Sequence, residues 1–462
     1  MNIKNVGLLI ILGLVAGICA AYAPTLLLVA LIAGILFTAA MMLNYSRFLY
    51  VIGLYVFIDY ALRYVLQISF LGSLWDELLF VFALCLWFYK WFTYRKTPGY
   101  TATPLDIPIV FYIVVAFCLL LVNSPIRDIG IDGFRQVVQQ ILWYFVAAQL
   151  VSSSKNVRWF LYIIVCAGGL LGLHGIYQYI TKAEMPSYWV DRLEAGITTR
   201  VFSIIGSPNI LGSLMVLIIP VAISFFFSEV KVLKKLFFAF AVLAMSATLI
   251  FTSSRSAWIG FVVAMGVYFW LKDKRLILAL FVLILAAYIF VPTIAHRVNY
   301  LLSPEYMISS AAGGRIARWT IGIEYLKQNP IFGMGLGQFG GAVAQNYKIP
   351  NAFYVDNYFL KIAVEMGLVG LAAFCVFIYN ILTWGLRAAT RITNPENKSM
   401  AQGIYAGLVG ITVPNLVENV FEVPMMLAYF SIFAALLIYL GYTLQDKLEP
   451  VSTVPTLPQK KR

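Results

Sequence analysis

Apolar stretches long enough to cross a lipid bilayer recur along nearly the whole of this 462-residue chain. A membrane-spanning helix needs about 20 apolar residues. Only 11% of the residues are charged, against about 25% in soluble domains, so one compact core could not hide this much apolar surface from water. The sequence therefore predicts an all-α, polytopic transmembrane helical bundle whose helices satisfy their own backbone groups within lipid.

Hydropathy predicts fourteen spans, with twelve as the alternative count. They lie near residues 6–22, 24–43, 48–70, 78–93, 105–122, 135–151, 159–180, 205–227, 235–252, 256–271, 275–292, 358–385, 401–417 and 423–443. The third is the weakest, because it contains Asp59 and Arg63, which lie four residues apart on one helix face and can pair. We divide the chain into N-terminal spans 1–104, central spans 105–292, a large outer loop 293–354, C-terminal spans 355–445 and a basic tail 446–462.

Lys and Arg residues predict the orientation, because they concentrate in cytoplasmic loops. With the N-terminus inside, the segments on that side hold 20 of the 33 Lys and Arg residues and six acids. The other side, spans included, holds 13 basic and 14 acidic residues. We therefore predict a multi-pass protein of the bacterial inner membrane with both termini cytoplasmic. Topology and anionic lipid explain the basic segments, so we expect no nucleic-acid partner.

Arginine is enriched on the predicted outer side. It makes up nine of the 13 basic residues there, against seven of 20 inside. The planar guanidinium grips phosphate oxygens at two points, whereas the lysine ammonium acts as a point charge. The bias indicates an anionic, phosphate-bearing ligand. Five cysteines without metal-ligand spacing and only two histidines predict no metal site.

The outer segment 293–354 is longer than ordinary connections, and loops beyond about 15 residues are usually functional or disordered. Gly314 precedes an apolar-periodic stretch that stops before Pro330. This pattern predicts a short amphipathic helix. Arg315 and Arg318, three residues apart, would share one face of that helix.

A GxGxxG spacing lies within residues 333–340, with Asp356 about twenty residues further on. In a dinucleotide-binding fold this motif follows a strand and opens a helix. Neither element is predicted here, and the motif lies on the side away from cytoplasmic nucleotides. We interpret it as a flexible turn region.

Asp356 stands where the chain re-enters the membrane. It can cap the helix that follows. It can also serve as a general base held at the bilayer surface beside arginines. Those arginines should lower the pKa of the Asp356 carboxyl and keep it ionised. Glu365, which is deeper in the same helix, and His296 are the other candidates for a base.

Four segments together resemble the O-antigen ligase and polymerase superfamily, in that family's order and within about residues 195–375. They are Arg200 with Ser207, Pro208 and Asn209; Ser254 to Ala257; Gly314 and Arg315 through Pro330 to Gly335; and Asp356 to Tyr358 through Glu365 to Gly370. The first four spans carry no such motif.

The resemblance implies a membrane-embedded glycosyltransferase of the C-type architecture, acting without a metal or other cofactor. Its donor would be a glycan on undecaprenyl diphosphate, and its acceptor a saccharide or a glycolipid in the bilayer. A hydroxyl of the acceptor would attack the anomeric carbon with inversion, and the lipid diphosphate would leave. The product would belong to surface polysaccharide biosynthesis in the cell envelope.

The resemblance also implies roles for individual residues. Arg200 and Arg255 match the family's diphosphate-contacting arginines, and Arg315 matches the arginine of its large loop. Arg318 adds support from the residue pattern, and Asn209 and Asn357 lie beside the implied site. Asp356 stands where the ligases carry histidine, which makes it the implied catalytic base and leaves ligase and polymerase both open.

Two other classes of function compete with the enzyme. A transporter or flippase of lipid-linked saccharides should place its polar groups near the bilayer midplane, often on broken helices in paired halves. Here the polar groups gather at the predicted outer surface, and the two halves show no convincing repeat. A scaffold or sensor has no feature of its own in the sequence. We therefore favour the enzyme.

Overall fold

The computed structural model describes residues 25–67, 69–93, 100–186, 189, 199–350 and 352–445, which are helical with turns and contain no strand. The all-α prediction is therefore confirmed for this part of the chain. The helices are α1 Thr25–Leu43, α2 Phe48–Gly53, α3 Tyr55–Tyr60, α4 Ser69–Thr93, α5 Asp106–Val122, α6 Arg127–Val138, α7 Trp143–Leu150, α8 Ser154–Ile180, α9 Pro208–Ser228, α10 Val232–Phe251, α11 Arg255–Lys272, α12 Leu276–Phe290, α13 Pro292–Leu301, α14 Pro304–Ala311, α15 Arg315–Gln328, α16 Gly341–Asn346, α17 Tyr358–Arg391, α18 Pro395–Thr412 and α19 Pro424–Ile438.

Five of these helical segments are long and apolar enough to cross a membrane, and two bent pairs raise the number to seven. The five are α8, α9, α10, α17, and α19 with the π-helical turn that extends it to Thr443. The chain is thus a multi-pass membrane protein, but the predicted count of fourteen spans is not confirmed. The candidate span 6–22 lies outside the described residues.

Backbone bends explain part of this difference, because hydropathy does not register them. The candidate span 48–70 is not one helix: α2 and α3 are separated at Leu54, and a π-helical turn covers Ala61–Val65. The predicted pair within it is confirmed, since Nε of Arg63 lies 2.7 Å from Oδ1 of Asp59. Helices α12 and α13 likewise meet at 91°.

Helix α9 lies inside the bundle, in contact with α8, α10, α11 and α18. Glycines on α18 allow the closest of these approaches. A Cβ atom on Gly407 would lie 2.4 Å from the carbonyl oxygen of Leu217, and one on Gly410 would lie 2.8 Å from Val216. Small residues at helix contacts are the usual means of close packing in membranes. This packing holds the middle of α9 against α18.

The described residues of the predicted outer loop, 293–350 and 352–354, form helices and turns. Its predicted amphipathic helix is confirmed as α15, Arg315–Gln328, which packs against α17. The glycine-rich segment after it forms turns, as predicted, but these are anchored rather than flexible. The amide of Met334 donates to the carbonyl of Val364 at 2.9 Å, and that of Leu368 donates to Pro330 at 2.8 Å. A break in α17 at Gly367, with φ of 67°, makes room for this contact.

Candidate functional site

A cavity of about 350 Å³ lies among the N-terminal ends of α9, α11 and α15 and the turn before α17. We call it the arginine cavity. It is lined by Trp189, Arg200, Asn209, Ser254, Arg255, Ser256, Ile259, Arg297, Leu301, Tyr306, Ser310, Gly314, Arg315, Arg318, Trp319, Asp356, Val417 and Glu418. Six of the seven residues that the sequence analysis assigned to the site therefore share one cavity. Asn357 does not line it, and neither do Glu365 and His296.

Arg200 is held in the wall of the cavity by three hydrogen bonds. Its guanidinium donates to the carbonyl oxygen of Thr252 at 3.0 Å, to that of Trp189 at 2.6 Å and to Oδ1 of Asn209 at 2.7 Å. Burial, and then the neighbouring Arg297, lower the pKa of Arg200 to about 9. Arg200 therefore stays protonated at neutral pH. Binding of an anion in the cavity would stabilise its buried positive charge.

Arg255 is the first residue of α11. Its guanidinium lies 4.9 Å from the ring centroid of Tyr306 and 6.0 Å from that of Tyr300, which is the geometry of a cation–π contact. A cation at a helix N-terminus faces the positive end of the helix dipole. The position thus concentrates positive charge at the cavity. Ser253, two residues earlier, has a left-handed φ of 51°, and such backbone strain clusters at functional sites.

Arg315 is fixed by a loop that the sequence did not single out. Its Nε donates to the carbonyl oxygen of Val417 at 3.1 Å, and its guanidinium pairs with the carboxylate of Glu418. Glu418 also accepts a hydrogen bond of 2.8 Å from Nδ2 of Asn209. Because Asn209 in turn accepts from Arg200, one buried carboxylate positions two arginines from different elements.

Asp356 lies in the turn before α17, with a left-handed φ of 52°. Its Oδ2 accepts from Nη1 of Arg318 at 2.7 Å, and its side chain is 21% exposed. The alternative that Asp356 caps α17 is wrong. Asn357 is the cap residue, and its side chain accepts from the amide of Leu360 at 3.0 Å. The carboxylate of Asp356 is left to face the cavity.

The expected lowering of the pKa of Asp356 is also wrong in direction. Burial, followed by the charge of Glu418, raises the pKa of this carboxyl to about 6, although Arg318 and Arg315 oppose the rise. The sequence could show the arginines but not the burial or the second carboxylate. A group with this pKa is mostly ionised at neutral pH and is a stronger base than an ordinary aspartate.

Arg297 is a further cavity residue that sequence reasoning missed. It is 5% exposed, and its Nε donates to the carbonyl oxygen of Ser253 at 3.1 Å. With it, five arginines and two carboxylates line the cavity, an excess of three positive charges. No motif surrounds residue 297, so the only sequence feature that could have indicated Arg297 was the enrichment of arginine on the predicted outer side. The cavity is suited to an anion that carries several charges.

Residues 240–375 match the family model described as O-antigen ligase. The matched segment contributes Arg255, Arg315, Arg318 and Asp356 to the arginine cavity. No functionally curated protein matches the chain in sequence. The family match confirms the resemblance to the O-antigen ligase and polymerase superfamily, and it suggests an O-antigen ligase-like function in surface polysaccharide biosynthesis.

Proposed function

We propose that this protein, which resembles the O-antigen ligase and polymerase superfamily, transfers a glycan from undecaprenyl diphosphate to a saccharide acceptor on the outer face of the inner membrane. The observation that carries the proposal is the arginine cavity. It joins an excess of three positive charges to one carboxylate, Asp356, whose raised pKa of about 6 suits a base. Such a cavity can bind a diphosphate leaving group through its arginines and an acceptor hydroxyl through Asp356.

In this mechanism the guanidiniums of Arg200, Arg255 and Arg315 hold the diphosphate oxygens and neutralise the charge that grows as the leaving group departs. Asp356 takes the proton of the acceptor hydroxyl. The hydroxyl oxygen forms a bond to the anomeric carbon while the bond from that carbon to the phosphate oxygen breaks, which inverts the configuration. Arg318 orients the Asp356 carboxylate through their 2.7 Å contact. Because arginines carry the phosphate charge, the proposal requires no metal ion.

The orientation in the membrane is part of the proposal. Segments assigned to the cytoplasm by their charge meet at one end of the bundle, where Arg158 pairs with Glu396. A cysteine at Ser309 should react with an impermeant thiol reagent in intact spheroplasts. Val230 is 90% exposed near the end of the bundle that is assigned to the cytoplasm. A cysteine at this position should react only after lysis. The reverse pattern would overturn the orientation.

The experiment that tests the function uses purified protein in liposomes with an undecaprenyl-diphosphate-linked glycan and a saccharide acceptor. We expect a new glycosidic product and free undecaprenyl diphosphate in equal amounts. Movement of the donor between leaflets without a glycosidic product would identify a flippase instead. Deletion of the gene would then distinguish a ligase from a polymerase. Loss of all attached polymer indicates a ligase, whereas single repeats left on the acceptor or lipid indicate a polymerase.

A further inference from the structure

A second and larger cavity, of about 630 Å³, has no role in the mechanism above. Its walls come from α3, α4, α6, α16 and the ends of α9 and α19. Ser207 lines this cavity, and Asn209 lines the arginine cavity. Two residues of chain span at most about 7 Å. The two cavities are therefore neighbours, on either side of the start of α9.

The polar lining of the second cavity is mostly acidic, and we call it the carboxylate cavity. Four carboxylates line it: Asp59, Asp76, Glu77 and Asp132. Three glutamines and three tyrosines line it as well, with two arginines. The formal charge is therefore −2, which repels a phosphate. Carboxylate and amide groups are instead the partners of hydroxyl groups, since they accept and donate hydrogen bonds at fixed angles.

Both arginines of the carboxylate cavity already have acidic partners. Arg63 pairs with Asp59 at 2.7 Å, and Arg135 pairs with Glu77. Their charges are thus neutralised within the wall, in contrast to the excess in the arginine cavity.

Gln140 places an unpartnered polar atom at the carboxylate cavity. It is 4% exposed and lines the carboxylate cavity, and its amide nitrogen lies 3.4 Å from Oδ2 of Asp76. Its Oε1 has no hydrogen-bond partner among the described residues. A buried amide oxygen without a donor destabilises a protein. A hydroxyl group entering the cavity would supply that donor.

From these observations we infer that the carboxylate cavity binds a neutral, hydroxyl-rich glycan beside the diphosphate held in the arginine cavity. The inference rests on the proposed function and names the second substrate subsite. Its volume lies within the range of about 300–1,000 Å³ that is typical of small-molecule sites. The glycan can belong to the donor or to the acceptor, since both present the same hydroxyl chemistry.

The test is the substitution Gln140→Met in the full-length protein, with Gln402→Met as the matched control. Gln402 is also 4% exposed, but it bonds to Leu271 at the other end of the bundle. We expect Gln140→Met to raise the KM of one saccharide substrate about tenfold, with kcat within twofold of the wild type. A rise confined to the acceptor assigns the cavity to the acceptor glycan, and a rise confined to the donor assigns it to the donor glycan. Unchanged values for both would overturn the inference.

Direct measurements of glycan binding test the inference independently of glycan transfer. The probes are the glycan released from its lipid by mild acid, and undecaprenyl diphosphate without sugar. Gln140→Met should weaken binding of the released glycan about tenfold and leave binding of the sugar-free lipid unchanged. If the glycan binds in this way but no transfer occurs, the proposed function fails and the inference stands. Equal loss of both probes would overturn the inference.

A second variant covers the case in which Gln140→Met does not fold. Asp132 is 41% exposed in its side chain, so Asp132→Asn should be tolerated. It removes one charge from the carboxylate cavity and leaves the arginine cavity unchanged. We expect glycan binding to weaken at least threefold, and no change there would count against the inference.

Discussion

The arginine cavity and the carboxylate cavity use the same charged groups in opposite proportions. Five arginines face two carboxylates in the first, whereas two arginines face four carboxylates in the second. Both arginines of the carboxylate cavity pair with carboxylates, Asp59 and Glu77. In the arginine cavity, two of the five arginines, Arg315 and Arg318, pair with its two carboxylates. The arginine cavity therefore has an excess of three positive charges, whereas its neighbour has an excess of two negative charges. The difference teaches that the two ends of a short segment at the start of α9 can face cavities of opposite charge, which under the proposed function would separate the diphosphate from the glycan.

The strongest way to break this comparison is to remove the base from the arginine cavity. Asp356→Asn should reduce transfer on the order of a thousandfold, because proton transfer from the acceptor hydroxyl is lost. Binding of undecaprenyl diphosphate should remain, since the arginines are intact. Asp356→His should keep part of the activity. The measurement is transfer from a lipid-linked donor by purified variants, and wild-type turnover of Asp356→Asn would show that the base lies elsewhere.

A smaller effect is expected when the phosphate grip is weakened and the charge is kept. Arg200→Lys, Arg255→Lys and Arg315→Lys should each lower transfer about a hundredfold, because lysine lacks the two-point contact. Arg127→Lys is the matched control, since Arg127 is exposed and lines neither cavity. Normal membrane insertion is checked by the amount of protein in the membrane fraction. Full activity in all three variants would refute the diphosphate role.

The sequence predicted more of the arginine cavity than of the carboxylate cavity. Arg200, Arg255 and Asp356 stand in short motifs on one predicted side of the membrane, so local pattern and orientation were enough to group them. Glu418 and Arg297 were missed because long-range packing, rather than a motif, brings them to the cavity. The carboxylate cavity was missed for the same reason, since its walls come from helices that are distant in sequence.

Burial separates the parts of the prediction that are confirmed from those that are not. The Asp59–Arg63 pair and helix α15 depend on residues three or four apart, and both are confirmed. The pKa of Asp356 depends on desolvation by distant elements, and its direction was wrong. The predicted count of fourteen spans is not confirmed, and hydropathy does not register the break at Leu54 or the 91° bend between α12 and α13.

The pH dependence of transfer gives a milder test of Asp356. A carboxyl with a pKa of about 6 loses its function as a base when it is protonated, so kcat/KM should fall tenfold per pH unit below about 6. It should be constant above that value until another group titrates. An aspartate with its ordinary pKa near 3.9 would keep full activity to about pH 5. A profile that is flat from pH 7 to pH 5 would therefore contradict the environment described here.

The smallest expected effect is a shift of that profile, and it sharpens the comparison most, because it tests how one carboxylate acts on another. Glu418 is the second cause, after burial, of the raised pKa of Asp356. Glu418→Gln keeps an oxygen that can accept from Asn209, but removes the negative charge. Protonation of Asp356 then becomes less favourable, so its pKa falls and the midpoint of the acid limb of kcat/KM moves to lower pH. Glu324→Gln on α15, at an exposed position outside the arginine cavity, should leave the midpoint unchanged. A midpoint that stays at about 6 in Glu418→Gln would mean that burial alone sets the pKa of Asp356, and that Glu418 serves only to position Arg315 and Asn209.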